Sequence, residues 1–260
     1  MSVSTFVEVR GKSIEVRRFP EEPAPPAAGV PTLVFLHEGL GSVGLWRDFP
    51  ARAAQATGLP AFVYSRAGYG RSSAPPLPRS LQYMHEEARL LPEILGKAGI
   101  VGPIVFGHSD GASIALLHAA EDLRVRGLLL EAPHVFTEDT SLRSIARARD
   151  AYLFGELKPR LARWHEHVDA AFWGWNASWL HPDFRQWNLE SALPAIRVPM
   201  LLLQGADDEY GSERQLRAIE RGAAGPVETR VLDRCGHAPH QDQPDATLEA
   251  LRALVARLPA

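Results

Sequence analysis

The run Pro103-Ile104-Val105-Phe106-Gly107-His108-Ser109-Asp110-Gly111-Ala112 decides the reading of this chain. Ile104 to Phe106 have strand character and Ala112 to Ala120 continue as a helix-like run, so Gly107-His108-Ser109-Asp110-Gly111 falls where a strand turns into a helix. A serine hydroxyl is a poor nucleophile at neutral pH unless it is held exposed, beside a base and away from competing hydrogen bonds. A sharp strand-to-helix turn does this, and it requires the flanking glycines because backbone comes close to backbone, leaving no room for a Cβ. Ser109 is the candidate nucleophile. Asp110 opens the helix, where its side chain is an anion at a helix N-terminus and its backbone N–H is a candidate oxyanion donor.

Working outward, short apolar runs without strict alternation recur at Thr32 to Leu36, Ala61 to Tyr64, Ile104 to Phe106, Gly127 to Leu130, Met200 to Leu203 and Val227 to Leu232. Such runs read as strands buried on both faces of a parallel sheet. Met84, Ala88, Leu91 and Leu95 form a helical stripe, repeated by Leu248, Leu251, Val255 and Leu258. Thr5 to Val9 and Ser13 to Arg18 flank Arg10-Gly11-Lys12 as an antiparallel hairpin, and Pro20 to Pro31 is a proline-rich loop. The fold class is α/β, a doubly wound, mostly parallel sheet of about eight strands with helices on both faces. Residues 137–190 interrupt the alternation with a helical pattern that holds Trp164, Trp173, Trp175, Trp179 and Trp187, five of the six tryptophans. This predicts a helical cap at 137–190 over the carboxyl ends of the strands, and a core built from 1–136 and 191–260.

Two later strands also end in loops with chemistry. Met200 to Leu203 leads into Gln204-Gly205-Ala206-Asp207-Asp208-Glu209-Tyr210, and Val227 to Leu232 leads into Cys235-Gly236-His237-Ala238-Pro239-His240. The order serine, acid, histidine, each beyond the carboxyl end of a parallel strand, is the order of a nucleophile with its base and orienting carboxylate. At this level the acid is Asp207 or Asp208, and the base is His237 or His240. The histidine would take the Ser109 proton and return it to the leaving group, while the carboxylate fixes its tautomer.

Composition narrows the partners. A chain of 260 residues with 45% hydrophobic and 23% charged residues is an ordinary globular protein with a substantial core. Its net charge of −3 and scattered arginines offer no basic stripe for a nucleic acid. No run reaches the length of a membrane span, and the opening MSVSTFVEVRGK lacks a secretory signal, which predicts a cytoplasmic enzyme. The single cysteine, Cys235, rules out an intramolecular disulfide framework. The expected partner is a small-molecule substrate, with no nucleic acid and no membrane, and a homo-oligomer is left open.

The chain resembles the α/β-hydrolase superfamily in Leu36-His37-Glu38-Gly39-Leu40-Gly41, in Ser65-Arg66-Ala67-Gly68-Tyr69-Gly70-Arg71-Ser72, in the serine turn, in the G-x-x-D ending at Asp208, and in Gly236-His237. The resemblance implies the α/β-hydrolase fold, no cofactor and no metal. It selects Asp208 over Asp207 and His237 over His240, giving Ser109, Asp208 and His237 as catalytic residues. It places the oxyanion hole at the backbone of Asp110 and Gly39, with Leu40 next. The family's usual His-Gly is here split by Glu38, which either faces the substrate or braces Arg66, the brace being favoured. Trp173 and Trp175, with Glu38 and Leu40, are the candidate substrate-binding residues, although tryptophans also simply pack helices.

These residues point to a serine hydrolase cleaving a carboxylic ester or thioester of a small apolar or aryl substrate. Three alternatives stand beside it: a carbon–carbon bond hydrolase of ring-cleavage products, a cofactor-free haloperoxidase or perhydrolase, and a catalytically silent ligand-binding protein on the same fold.

Overall fold

A computed structural model describes residues 4–21 and 29–259; residues 22–28 of the proline-rich loop lie outside the described residues. Eight strands form one sheet, β1 (Thr5–Val9), β2 (Lys12–Phe19), β3 (Leu33–Leu36), β4 (Ala61–Tyr64), β5 (Ile104–His108), β6 (Gly127–Glu131), β7 (Met200–Gly205) and β8 (Val227–Leu232). Their spatial order is β1-β2-β4-β3-β5-β6-β7-β8. The β1–β2 hairpin and the β2–β4 pair are antiparallel, and every other pair is parallel.

The period of two along each strand sorts side chains into two cores. Leu33, Phe35, Ile104, Phe106, Leu201 and Leu203 face one side, where they meet α1 (Phe49–Thr57) and α9 (Pro244–Val255). Val34, Leu36, Val105, Met200 and Leu202 face the other, against α2 (Tyr83–Lys97), α3 (Asp110–Glu121) and α7 (Glu213–Gly222). In α2 the stripe Met84, Ala88, Leu91 and Leu95 is buried as its spacing requires. One strand departs from the reading above. β8 is an edge strand, half-exposed along its length, and Glu228 on it pairs with Arg230 and Arg257 at the surface. An edge needs only one covered side, and its alternating charged residues mark it as such.

Between β6 and β7 the chain forms α4 (Asp139–Phe154), α5 (Leu157–Leu161) and α6 (Val168–Trp179), then 3-10 turns at Pro182–Gln186 and Glu190–Ala195. A bridge between Phe136 and Asn188 joins the ends of the helical excursion, and the Leu189 N–H donates to the Val135 carbonyl at 2.8 Å. Trp179, Phe184 and Trp187 pack on one another with ring centroids 5.0 to 5.7 Å apart, and Phe184 stacks on Tyr83 of α2. Those aromatic rings seat the excursion on the core. A short helix, α8 (Pro239–Asp242), precedes α9. Among the described residues no helix is long and apolar enough to cross a membrane.

Candidate active site

The sheet order reverses at β3, whose sequence neighbour β4 lies on one side and β5 on the other. In open α/β sheets the crevice at the carboxyl ends of the strands at such a point is where ligands bind. The loops after β3, β5, β6, β7 and β8 all bring residues to this end. Ser109 follows β5 with φ 53° and ψ −117°, a strained conformation for a residue with a Cβ. The close approach behind it is visible at Gly111, where a Cβ would lie 2.0 Å from the Leu36 carbonyl oxygen, and at Gly107, where it would meet the Gly111 carbonyl at 2.6 Å. The Ser109 N–H donates to the Glu131 carbonyl of β6 at 2.9 Å, so the turn is fixed to the sheet on both sides.

His237 meets Asp208 through Nδ1, 2.9 Å from Oδ1 and 3.0 Å from Oδ2. The Asp208 carboxylate also accepts the N–H groups of Tyr210, at 2.7 Å, and Gly211, at 3.2 Å, together with the amide of Gln204. Burial pushes this carboxyl up, but the His237 charge, the His237 hydrogen bond and the Tyr210 N–H outweigh it and hold it below its ordinary value. Asp208 is thus an anion facing Nδ1, which leaves Nε2 as the proton acceptor. Asp207, by contrast, is exposed, and His240 turns away from the cavity to Glu131 at 2.7 Å. Ser109 and His237 line one cavity without a direct hydrogen bond between them, a contact that substrate binding commonly tightens.

The loop after β3 is held by carbonyl contacts. His37 accepts the Arg66 N–H on Nε2 at 3.1 Å and therefore donates from Nδ1 to the Glu38 carbonyl at 2.7 Å. Burial and the Arg66 charge keep this imidazole well below its usual range, hence neutral. The Arg66 guanidinium donates to the carbonyls of His37 and Glu38, and the Gly41 N–H adds a third donor to the latter, at 3.1 Å. Because a trans peptide sets its N–H opposite its carbonyl, pinning the Glu38 carbonyl on Arg66 turns the Gly39 N–H the other way. His165, from the helical excursion, accepts the Gly70 N–H and bonds the Leu40 carbonyl at 2.8 Å. Among the described residues no protein group accepts the N–H of Gly39 or Leu40, and the N–H of Asp110, at the first position of α3, has no intrahelical acceptor.

Glu38, Gly39, Leu40, Ser109, Asp110 and His237 share the cavity with Trp175, Trp179, Ile145, His134 and Tyr210, and its volume is about 180 Å³. Trp175 lies so close to Gly39 that a Cβ there would fall 2.1 Å from Nε1. Trp173 is not part of this lining, contrary to expectation. Two residues before Trp175 it sits about 200° around the helix and packs on Phe172 and Tyr152 with centroids 5.0 and 5.8 Å away. The helical partner of Trp175 is Trp179, one turn on, whose Nε1–H donates to Asp110 Oδ1 at 3.1 Å while the Tyr83 hydroxyl donates to Oδ2 at 2.5 Å. The Asp110 side chain therefore ties α2 and α6 to the serine turn. His134, missed in the sequence, stands 5.8 Å from the His237 ring, and burial with the His237 charge holds it near 3, neutral.

Glu38 does not brace Arg66 with its carboxylate. It faces His108, with Oε2 3.7 Å from Nδ1. Burial lowers the His108 imidazole, but the Glu38 and Glu131 carboxylates more than offset this and raise it from 6.5 to about 9. A histidine raised on folding stabilises the protein fully below its unfolded value, and that contribution is lost as pH climbs through the folded one. The thermal midpoint is expected to fall between about pH 6.5 and 9, and His108→Gln should flatten this part of the profile; an unchanged slope in the variant would remove His108 as its source. Cys235 is buried and its thiol is pushed up to about 11, which makes it unreactive.

Residues 33–250 match the alpha/beta hydrolase family, and the chain belongs to that family of hydrolytic enzymes. The fold recurs in the enol-lactonase from Burkholderia xenovorans LB400, 18% identical with a TM-score of 0.75 over 97% of this chain and 100% of that one. It recurs in a membrane phospholipase A described as a bacterial virulence factor, 20% identical with a TM-score of 0.77 over 98% and 86%. Proline iminopeptidase from Mycobacterium smegmatis is 16% identical, with a TM-score of 0.75 over 98% of both chains. Comparison with curated protein sequences finds no match.

Proposed function

We propose that the protein is a serine hydrolase that cleaves a carboxylic ester or thioester of a small apolar or aryl substrate through an acyl-enzyme on Ser109. The observation that carries this reading is the Asp208–His237 hydrogen bond directed into the same cavity as a serine held at a strained strand-to-helix turn. Ser109 Oγ attacks the carbonyl carbon and its proton passes to His237 Nε2. The carbonyl oxygen becomes an oxyanion beside the N–H groups of Asp110 and Gly39, with Leu40 adjacent, and each such donor contributes about 2.7–4 kcal/mol. Collapse expels the alcohol or thiol with the proton from His237. Water then attacks the acyl-enzyme, His237 taking its proton, and the carboxylic acid leaves while Ser109 regains its hydrogen. Asp208 stays ionised throughout and keeps Nδ1 protonated.

A fluorophosphonate probe tests the reading. Covalent labelling at the Ser109 peptide is expected, and folded protein that resists the probe would favour a silent binding protein. Substrate size follows from the cavity, which at about 180 Å³ lies below the roughly 300–1,000 Å³ of pockets for drug-sized ligands. Its apolar wall is Trp175, Trp179, Ile145 and Leu40. Losing about 60 Å² of apolar contact at about 25 cal/mol per Å² corresponds to about tenfold in affinity. Trp175→Ala should accordingly lower kcat/KM by about tenfold more for an aryl ester than for a small acetate ester. Trp173→Ala should instead lower the thermal midpoint and affect both substrates equally. Parallel losses in both variants would leave Trp175 with a packing role only.

A further inference from the structure

Behind Ser109 lies a polar cluster that the steps above do not use. Glu38 comes from the loop after β3, His108 from the end of β5, Glu131 from the end of β6 and His240 from α8. The last three are buried. His240 Nδ1 meets Glu131 Oε2 at 2.7 Å, and His108 Nδ1 faces Glu38 Oε2 at 3.7 Å. His108 Nε2 lies 2.8 Å from the main-chain carbonyl oxygen of His237, 129 residues away in the chain. Trp46 covers both imidazoles, 6.3 Å from His108 and 4.6 Å from His240.

A carbonyl oxygen only accepts, so His108 Nε2 carries a hydrogen in this contact. Nδ1 is buried without a hydrogen-bond partner and faces Glu38 Oε2 at 3.7 Å, so the contact that fixes the ring is the one made by Nε2. We propose that His108 is a positioning residue that donates from Nε2 to the His237 carbonyl and thereby sets the distance between the general base and Ser109. The proposal rests on the triad reading. Asp208 fixes the imidazole ring of His237 and His108 fixes its main chain, and His108 is also the residue joined to Ser109, so nucleophile and base are referred to one side chain. The groups facing His108 are Glu38, Glu131, His237 and His240. His108, Glu131 and His240 also offer ligand atoms within 4.8 Å of one another, but His240 Nδ1 and His108 Nε2 are already engaged as hydrogen-bond groups.

The test uses two amides that reach different depths. The Gln Nε2 of His108→Gln extends as far as the imidazole Nε2 and can still donate to the His237 carbonyl, whereas the amide of His108→Asn stops at the level of Nδ1. Misplacing a base by about 1 Å costs about 10²-fold, so His108→Asn should lower kcat by about that factor with KM changed less than threefold, and His108→Gln should recover at least tenfold of the loss. Equal kcat in the two variants overturns the proposal. Should His108→Asn not fold, His108→Leu gives a second reading, because it fills the buried space and cannot donate to the His237 carbonyl. It should lose kcat by about the factor expected of His108→Asn, and kcat within threefold of His108→Gln overturns the proposal. Stoichiometric zinc in the purified wild-type protein would make His108 a ligand and overturns it too. Wild-type protein that fails to label with the fluorophosphonate defeats the triad reading; labelled wild type with indistinguishable His108 variants defeats the positioning role alone.

Discussion

Ser109→Ala is expected to lower turnover by about 10⁴-fold or more while leaving the fold intact. The hydroxyl is the only group lost. Among the described residues it donates no hydrogen bond, so its removal breaks no buried contact there, and alanine adopts the strained φ of 53° at the same cost as serine because both carry one Cβ. Stability should therefore stay close to wild type while the nucleophile disappears. His237→Ala should be of similar severity, and the double variant should be no worse than either single one, because the three residues act as one unit. The residual rate would come from the oxyanion donors and from binding. Turnover in Ser109→Ala above a tenth of wild type would end the assignment.

Why some of this was legible in the sequence and some was not has a physical basis. The strands and the order serine, acid, histidine could be read because each depends on local signals, namely apolar runs and glycine-flanked loops at their ends. The parallel register then brings the ends of β5, β7 and β8 together without further instruction. What could not be read are contacts that close over long chain separations. The His165 bond to the Leu40 carbonyl spans 125 residues, and nothing near either residue announces it. Arg66 was visible in its glycine-rich loop, yet its contacts are to main-chain carbonyls, which have no sequence signature. Trp179, four residues beyond Trp175 and so on the same helical face, lines the cavity that the sequence reading assigns to Trp173. β8 belongs to the short runs that read as buried on both faces, but Glu228 and Arg230 within it are the local sign of the half-exposed edge strand it forms.

The second large effect is expected at Asp208, where asparagine should lower turnover by about 10⁴-fold and stability far less. Oδ1 accepts two main-chain N–H groups, from Tyr210 and Gly211, so the amide oxygen of asparagine must take that place. Its NH₂ group then falls at Oδ2, 3.0 Å from His237 Nδ1. A donor there opposes the Nδ1–H that also faces Oδ1 at 2.9 Å, and with the anion gone the balance moves toward the imidazole tautomer with its hydrogen on Nε2, which cannot accept the Ser109 proton. The change costs little elsewhere. Gln204, which donates to Oδ2, has a buried Oε1 without a partner, and rotating that amide offers an acceptor to the new NH₂. Asp207→Asn provides the control, because Asp207 is exposed and only its main-chain N–H is engaged, with the Cys235 carbonyl at 2.9 Å. Its activity should remain within about twofold of wild type, as surface substitutions cost little. Measuring kcat/KM and thermal midpoints for both variants decides between them, and a severe Asp207→Asn beside a mild Asp208→Asn would move the acid one residue upstream.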